Sequence, residues 1–341
     1  MNSLYEMRPS TVSEAVEACL IARLVPFIQS SPGCGKSSIV RQIAERNNLK
    51  LIDIRLSSLE PCDLQGLPFF QNGRAKFHPY EMFPLEDSPL PEGKDGWLLF
   101  LDEFNSASRA VQAASYRLVL DHEVGGHKLH ERCVIACAGN KSSDNAIVNK
   151  LSTALLSRVV HINMEVNFED WLNNVAIPEQ YDERIIAFLN MYPEKLMVFD
   201  PEKDDQTFAC PRTWEFANKL IKDKELKGYL PILLGGAINP DIASEFVQFA
   251  KVFKKLIRLE EIVRKDGNCP VPEDTATKWA IISYLMYKTE EKQLPAVLKY
   301  VDNFDSSFKL LIHKIFLNRF PGIYDKYNHY FRENMKYLLG S

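Results

Sequence analysis

Gln29-Ser30-Ser31-Pro32-Gly33-Cys34-Gly35-Lys36-Ser37-Ser38 follows an apolar, strand-like run, Leu24 to Ile28, and precedes a helix-like run, Ser37 to Asn47. A phosphate-binding loop belongs at such a junction. Glycines let the backbone curl until successive N–H groups point at phosphate oxygens. The helix N-terminus adds partial positive charge. Ser31, Pro32, Gly33, Cys34, Gly35, Lys36, Ser37 and Ser38 are therefore the candidate nucleotide-binding set. Lys36 is suited to neutralise the β- and γ-phosphates of ATP, and the Ser37 hydroxyl to ligate Mg2+. The pattern G-x-x-x-x-G-K-[ST] departs once, with Ser30 in place of its first glycine, and that departure points to an altered or weaker loop.

A second stretch is read with the first. Trp97-Leu98-Leu99-Phe100-Leu101-Asp102-Glu103-Phe104-Asn105 is an apolar run closed by two acids. A continuous apolar run suits a strand buried on both faces of a parallel sheet. Its acids then sit at the carboxyl edge, where open α/β sheets bind ligands. Asp102 is placed to hold Mg2+, directly or through water, and Glu103 to orient and polarise an attacking water. The alternative is an acidic strand end that starts a turn.

Outward from these motifs, strands are expected near Leu24–Gln29, Lys50–Leu56, Trp97–Leu101, Val134–Ala138 and Val159–Met164. Helices or long connections separate them, the alternation of a parallel α/β sheet. Thr11 to Leu24 reads as a helix with a Thr11/Glu14 capping box. Asn72-Gly73 between Phe69 and Phe77 signals a hairpin, and Asp121 to Leu129 a second one. Pro79 to Gly96 reads as an extended connection. Beyond about Val166, helical periodicity takes over. Helices are expected at Glu183–Met191, Pro211–Lys222, Thr275–Lys288, Leu294–Asp302 and Ser307–Arg319. Asn239-Pro240 is an N-cap and N1 pair opening another, with Ile242, Phe246, Phe249 and Val252 inward. Lys265 to Glu273 reads as a linker. Tyr324 to Arg332 interleaves basic and aromatic residues, a pattern shared by single-strand binders and by a packed helix face; the packed face is preferred.

These motifs resemble those of the AAA+ ATPases, most closely the MoxR branch. Val134-Ile135-Ala136-Cys137-Ala138-Gly139-Asn140 is similar to that family's fourth strand, which makes Asn140 the sensor 1 residue. Leu151-Ser152-Thr153-Ala154-Leu155-Leu156-Ser157-Arg158 resembles the helix ending in the arginine finger, here Arg158. Ala209-Cys210-Pro211-Arg212-Thr213-Trp214 resembles the sensor 2 start of a lid helix, with Arg212 as its arginine. Leu51 to Leu56 and Asp63 to Pro68 also read like MoxR-type chains. The resemblance spans roughly residues 10 to 225. It implies an AAA+ P-loop core with a parallel sheet over residues 1–166, a helical lid over 167–265 and a C-terminal helical extension over 266–341.

The resemblance further implies Mg-ATP hydrolysis that drives chaperone-like remodelling of a protein client. The catalytic set is then Glu103, Asn140 and Arg158, with Arg212 on the nucleotide and Ser37 and Asp102 on the metal. Arg158 would act on a neighbour's nucleotide in a homo-oligomeric ring, usually a hexamer. A protein with a von Willebrand A domain is the first candidate partner, and the first hairpin is similar to an insert that faces the ring's pore. Simpler readings stand beside these. Asn140 suits a turn, Arg158 a helix C-cap, Arg212 open solvent, and Arg109 competes with Arg158 for the interface. Two other functions remain open: a nucleotide-switched scaffold with little turnover, and a DNA-acting motor or initiator.

Composition sets outer bounds. The chain has 341 residues, 46% hydrophobic and 25% charged, ordinary for a globular protein long enough for two domains. A net charge of −4 gives no global pull toward nucleic acid or an anionic membrane. No apolar run reaches the length of a membrane span, and Met1 to Ser10 lacks a signal-peptide pattern. Cys19, Cys34, Cys62, Cys133, Cys137, Cys210 and Cys269 form no zinc spacing and fit a reducing cytoplasm. Cys34, at a helix N-terminus, invites a reactive thiol; an inert loop residue is the preferred reading.

Overall fold

The computed structural model describes residues 6–144, 149, 151–203, 206–222, 224–253, 256–320 and 322. The chain divides into two units. The first comprises Met1–Trp171 with Met197–Asp205 and Cys210–Arg212, and the second Leu172–Leu196, Gln206–Ala209 and Thr213–Ser341. The Tyr324–Arg332 stretch lies outside the described residues.

Among the described residues, the first unit holds ten strands: β1 (Glu6–Met7), β2 (Val25–Ser30), β3 (Leu49–Arg55), β4 (Leu67–Gln71), β5 (Arg74–His78), β6 (Gly96–Asp102), β7 (Glu123–Val124), β8 (His127–Lys128), β9 (Cys133–Asn140) and β10 (Val159–Met164). Six form one parallel sheet in the order β1-β10-β2-β9-β6-β3. The five expected strands are all present. The edge strand β1, two residues long, went unforeseen because nothing periodic marks it.

Side-chain parity explains the two layers around this sheet. Successive residues of a strand face opposite ways. Trp97, Leu99 and Leu101 of β6 join Phe27, Ile135 and the helix Arg109–Asp121 in one core. Leu98 and Phe100 join Ile28, Ala136 and the helices Pro9–Ile21 and Lys36–Arg46 in the other. Each buried Leu or Phe contributes roughly 1.5–3 kcal/mol, so both faces of β6 hold it in place. The acids that close it are positioned by that burial.

The helix expected from Thr11 begins earlier, at Pro9, with Arg8 as its N-cap and no side-chain cap. Proline's fixed φ suits the first helical position, which leaves Thr11 and Glu14 inside the helix. Both hairpins form. β4 and β5 turn through Asn72 and Gly73, with φ of 52° and 75°, the left-handed pair a tight hairpin needs. Phe70 on this hairpin is 83% exposed. β7 and β8 turn through Gly125 and Gly126.

The second unit is helical. Its helices include Glu183–Met191, Leu230–Ile238, Pro240–Phe253, Leu259–Arg264, Thr275–Lys288, Leu294–Val301 and Ser306–Arg319. Asn239 caps its helix through Oδ1, which accepts from Asp241 N at 2.9 Å. The inward stripe of that helix is Ile242, Phe246 and Phe253, with Phe249 partly buried, whereas Val252 is exposed. Ten residues on from Ile242 is well off the stripe at 3.6 residues per turn; eleven residues brings Phe253 back onto it. Phe188, Trp214 and Phe246 meet with ring centroids 5.4–5.8 Å apart. Buried residues from Phe253 to Phe316, on both sides of Lys265–Glu273, share one core. Among the described residues no helix is long and apolar enough to cross a membrane.

Candidate functional site

The loop between β2 and the helix Lys36–Arg46 lies at the carboxyl edge of the sheet, flanked by the ends of β9 and β10. Gly33 and Gly35 take φ of 75° and 93°, and Gly35 is the N-cap of that helix. Gly33 is also closely covered. Its carbonyl accepts from Arg212 N at 3.2 Å, and a Cβ there would run into Cys210 Sγ. The segment Cys210–Arg212 thereby holds Arg212 beside the loop, with its own side chain exposed.

Lys36 Nζ is held on three sides. It donates to Ser30 O at 2.9 Å, Ser31 O at 3.2 Å and Asn140 Oδ1 at 3.2 Å, and lies 3.2 Å from Ser30 Oγ. Asn140 is brought there by sheet register, because Ser30 of β2 pairs with Asn140 of β9. Burial lowers the Lys36 pKa, while the carboxylates of Asp102 and Asp144 oppose that shift. An ammonium so placed is partly stripped of water and held by loop oxygens and the Asn140 amide.

Ser30 occupies the place of the missing glycine without strain. It is fully buried at the end of β2 and is absent from the left-handed region of φ. Its hydroxyl donates to Ser31 O at 3.1 Å and faces Lys36. The geometry at this position does not call for glycine, so a weaker loop does not follow from the serine. We expect Ser30→Gly to change ATP affinity by less than about tenfold, the scale of one neutral hydrogen bond. Calorimetric titration of both proteins with ATP checks this; a larger change in either direction would give Ser30 a role of its own.

Ser37 Oγ donates to Asp102 Oδ2 at 2.9 Å. Two hard oxygen donors thus face each other at the N-terminus of the loop helix, a set that fits Mg2+. Among the described residues no group of three or more His, Cys, Asp or Glu could hold a metal unaided. Asp102 Oδ1 accepts from Glu103 N at 2.8 Å, which orients the carboxylate.

Glu103 itself has φ of 55°. This sharp kink turns the chain out of β6, and the Glu103 carboxylate accepts a hydrogen bond from Ser57 Oγ.

Ser57, Asn105 and Asp144 escaped the sequence reading. Ser57 follows β3, whose Arg55 pairs with Asp102; two residues on, it comes level with Glu103. The signal was a polar pair, Ser57-Ser58, at a strand end, legible only once β3 is known to lie beside β6. Asn105 is buried and binds the main chain of Asn140. Asp144 is buried with Oδ2 unpartnered, in a turn that starts at Lys141.

Three residues singled out in the sequence stand elsewhere or behave quietly. Arg158 is exposed and tethered to its own helix end, donating to Ala154 O at 2.8 Å and Ser157 Oγ at 3.0 Å and lying 5.1 Å over the Tyr116 ring. Arg109 is exposed in the first turn of its helix. Burial pushes the Cys34 thiol up to about 11, which keeps it protonated and inert at neutral pH.

Residues 27–159 match the family model described as AAA domain (dynein-related subfamily). The matched span runs from β2 to β10. It takes in the loop, both acids, Asn140 and Arg158, and stops before Arg212. No curated protein matches the chain. Similar solved structures include a candidate ATPase from Cytophaga hutchinsonii, 12% identical over 72% of this chain and 90% of that one, with a TM-score of 0.38. Thermotoga maritima RuvB is also similar. A point mutant of it is 16% identical over 86% of each chain, with a TM-score of 0.37. The same protein, described as a Holliday junction branch migration motor, is 17% identical over 81% of this chain and 85% of that one, with a TM-score of 0.35. The first unit has an AAA+ P-loop fold, and a helical part follows it.

Proposed function

We propose that this chain is a MoxR-like AAA+ ATPase that hydrolyses Mg-ATP in an oligomeric ring and uses the cycle to remodel a protein client or complex. The observation that carries the reading is the convergence of Lys36, Ser37, Asp102 and Asn140 at the carboxyl edge of three adjacent parallel strands. Lys36 leaves its loop carbonyls for the β- and γ-phosphates. Ser37 and Asp102 would hold magnesium, which when bound supplies positive charge against the phosphate oxygens. Glu103 orients the attacking water once it lets go of Ser57. Asn140, freed from Lys36, binds the γ-phosphate end. Arg212, held beside the loop within the first unit, contacts the nucleotide. The loop backbone from Ser31 to Ser38 cradles the phosphates.

Residues 1–166 form the nucleotide core in this reading, 167–265 the lid and 266–341 the C-terminal extension. Lid and extension share a core across Lys265–Glu273, so they should respond to nucleotide as one body. The exposed Phe70 of the β4–β5 hairpin is a natural contact for a client in the ring's pore. A partner with a von Willebrand A domain remains the first candidate. Free cysteines throughout support a cytoplasmic setting. The scaffold alternative drew on Ser30, and an unstrained Ser30 takes away that motive.

Assembly tests the ring. A ligand lying at a subunit interface favours the state that buries it. Sedimentation velocity with a slowly hydrolysed ATP analogue should show a shift from small species to a ring, and steady-state phosphate release should follow protein concentration. A monomer at every concentration with full ATPase activity would remove the ring from the proposal.

A further inference from the structure

We infer that Asn105 is a positioning residue of this site: its side chain extends the sheet past the end of β6 and fixes Asn140 relative to the two acids. The inference rests on the ATPase reading above.

β6 and β9 pair as a regular parallel ladder up to Leu101 and Cys137. Glu103 then turns the chain away through its left-handed φ of 55°. One main-chain bond survives the kink, from Phe104 N to Ala138 O at 2.8 Å. Beyond it β9 runs on to Asn140, whose N–H and C=O no longer face a strand on this side. The Asn105 amide takes the strand's place. Its Nδ2 donates to Asn140 O at 2.7 Å, and its Oδ1 accepts from Asn140 N at 3.2 Å. Two antiparallel hydrogen bonds between planar amides fix rotation as well as distance.

The neighbourhood is built around that contact. Asn105 is only 3% exposed. A Cβ on Gly139 would run into its Oδ1, so the residue before Asn140 must be glycine for the amide to reach the backbone. The main chain of Asn105 also contributes, since its carbonyl accepts from Asn149 N at 2.7 Å. Asn149 in turn donates from Nδ2 to Ala107 O at 2.8 Å. The chain that leaves the sheet at Asn140 is thus pinned at departure and at return by one short segment.

The functional consequence follows from connectivity. Asp102, Glu103 and Asn105 are nearly consecutive, and Asn140 is in contact with Lys36. A single turn therefore sets the spacing between the metal-side acid, the water-side acid and the polar residue at the γ-phosphate. Asn105 touches none of the reacting atoms. Its loss should leave ground-state binding, dominated by Lys36 and the loop backbone, nearly intact, while letting Asn140 drift. A displacement on the order of 1 Å in a catalytic constellation costs about 10²-fold in rate.

The test uses the full chain and ATP. Asn105→Asp keeps the volume but sets a carboxylate oxygen against the Asn140 carbonyl; Asn105→Ala removes both bonds. Gln112→Leu serves as the structural control. Gln112 is buried at the same turn and donates to Ala107 O at 3.2 Å, without touching Asn140. ATP affinity, kcat, KM and Tm are measured for the parent and all three variants. We expect both Asn105 variants to lose about 10²-fold in kcat while the Kd for ATP moves by less than about threefold, well under the 1.4 kcal/mol of a tenfold change. Gln112→Leu should lower Tm and leave kcat unchanged. Where Asn105→Ala does not fold, Asn105→Asp decides. An active parent with an equally active Asn105→Asp would overturn the assignment alone. So would losses of kcat and affinity that move together and are matched by Gln112→Leu. A parent that binds ATP but never hydrolyses it would sink the ATPase reading and this inference with it.

Discussion

Lys36→Ala loses ATP binding, whereas Glu103→Gln keeps it and loses turnover. The two outcomes separate because the residues act at different moments. Lys36 is a partly desolvated ammonium whose present partners are Ser30 O, Ser31 O and Asn140 Oδ1. All three mark out where phosphate oxygens would sit, and its charge acts on the ground state. Truncating one partner of a buried charge pair costs about 2–5 kcal/mol, enough to push ATP binding out of the working range. The Glu103 carboxylate is held by Ser57, which lies outside the loop. Replacing Glu103 with the isosteric amide removes the proposed general base, a role worth about 10²–10⁴ in rate, and leaves the loop sequence unchanged. Equilibrium binding of a fluorescent ATP analogue and phosphate release under single-turnover conditions measure the two effects separately. Because Lys36 also ties the loop together, its variant is checked by Tm and by circular dichroism. Parallel loss of binding in both folded proteins would take the water-activating role away from Glu103.

The parts of this site that were legible in the sequence are those whose chemistry is local. A loop that must bend through Gly33 and Gly35 shows itself, because few other residues take those dihedrals. A strand buried on both faces, such as Trp97–Leu101, must be apolar throughout. Asn140 was legible only through family resemblance, since an asparagine after a glycine is otherwise a turn.

What stayed hidden depends on sheet order. Ser57 and Glu103 are far apart in sequence, as are Asn105 and Asn140, yet both pairs touch because β6 lies between β3 and β9. Chain order does not announce that β9 inserts between β2 and β6. The misplacements have equally local causes: Pro9 sets the first helix start ahead of Thr11, and helical pitch favours Phe253 over Val252.

Arg158→Ala should bind ATP normally and lose hydrolysis by about 10³–10⁵, the usual worth of an arginine that stabilises charge on a transferring phosphoryl group. The structure leaves this side chain available for such a role. It is exposed, and its tethers are a carbonyl, a hydroxyl and an aromatic face on its own surface. An exposed cation–π contact is worth only about 0.5–1 kcal/mol, so the substitution should not endanger folding, and Tm checks this. The proposal that Arg158 acts in trans makes a stronger demand. Arg158→Ala has an intact pocket, and Glu103→Gln has an intact arginine. Each alone should be nearly inactive. In mixed rings a Glu103→Gln subunit lends its arginine to the pocket of an Arg158→Ala neighbour, and phosphate release should reappear, highest at intermediate ratios. Co-assembly is verified independently by differently tagged subunits. If mixed rings form and remain inactive at every ratio, Arg158 does not serve a neighbour's nucleotide. Arg109, exposed in the first turn of the helix that follows the acids, then takes its place in the same complementation.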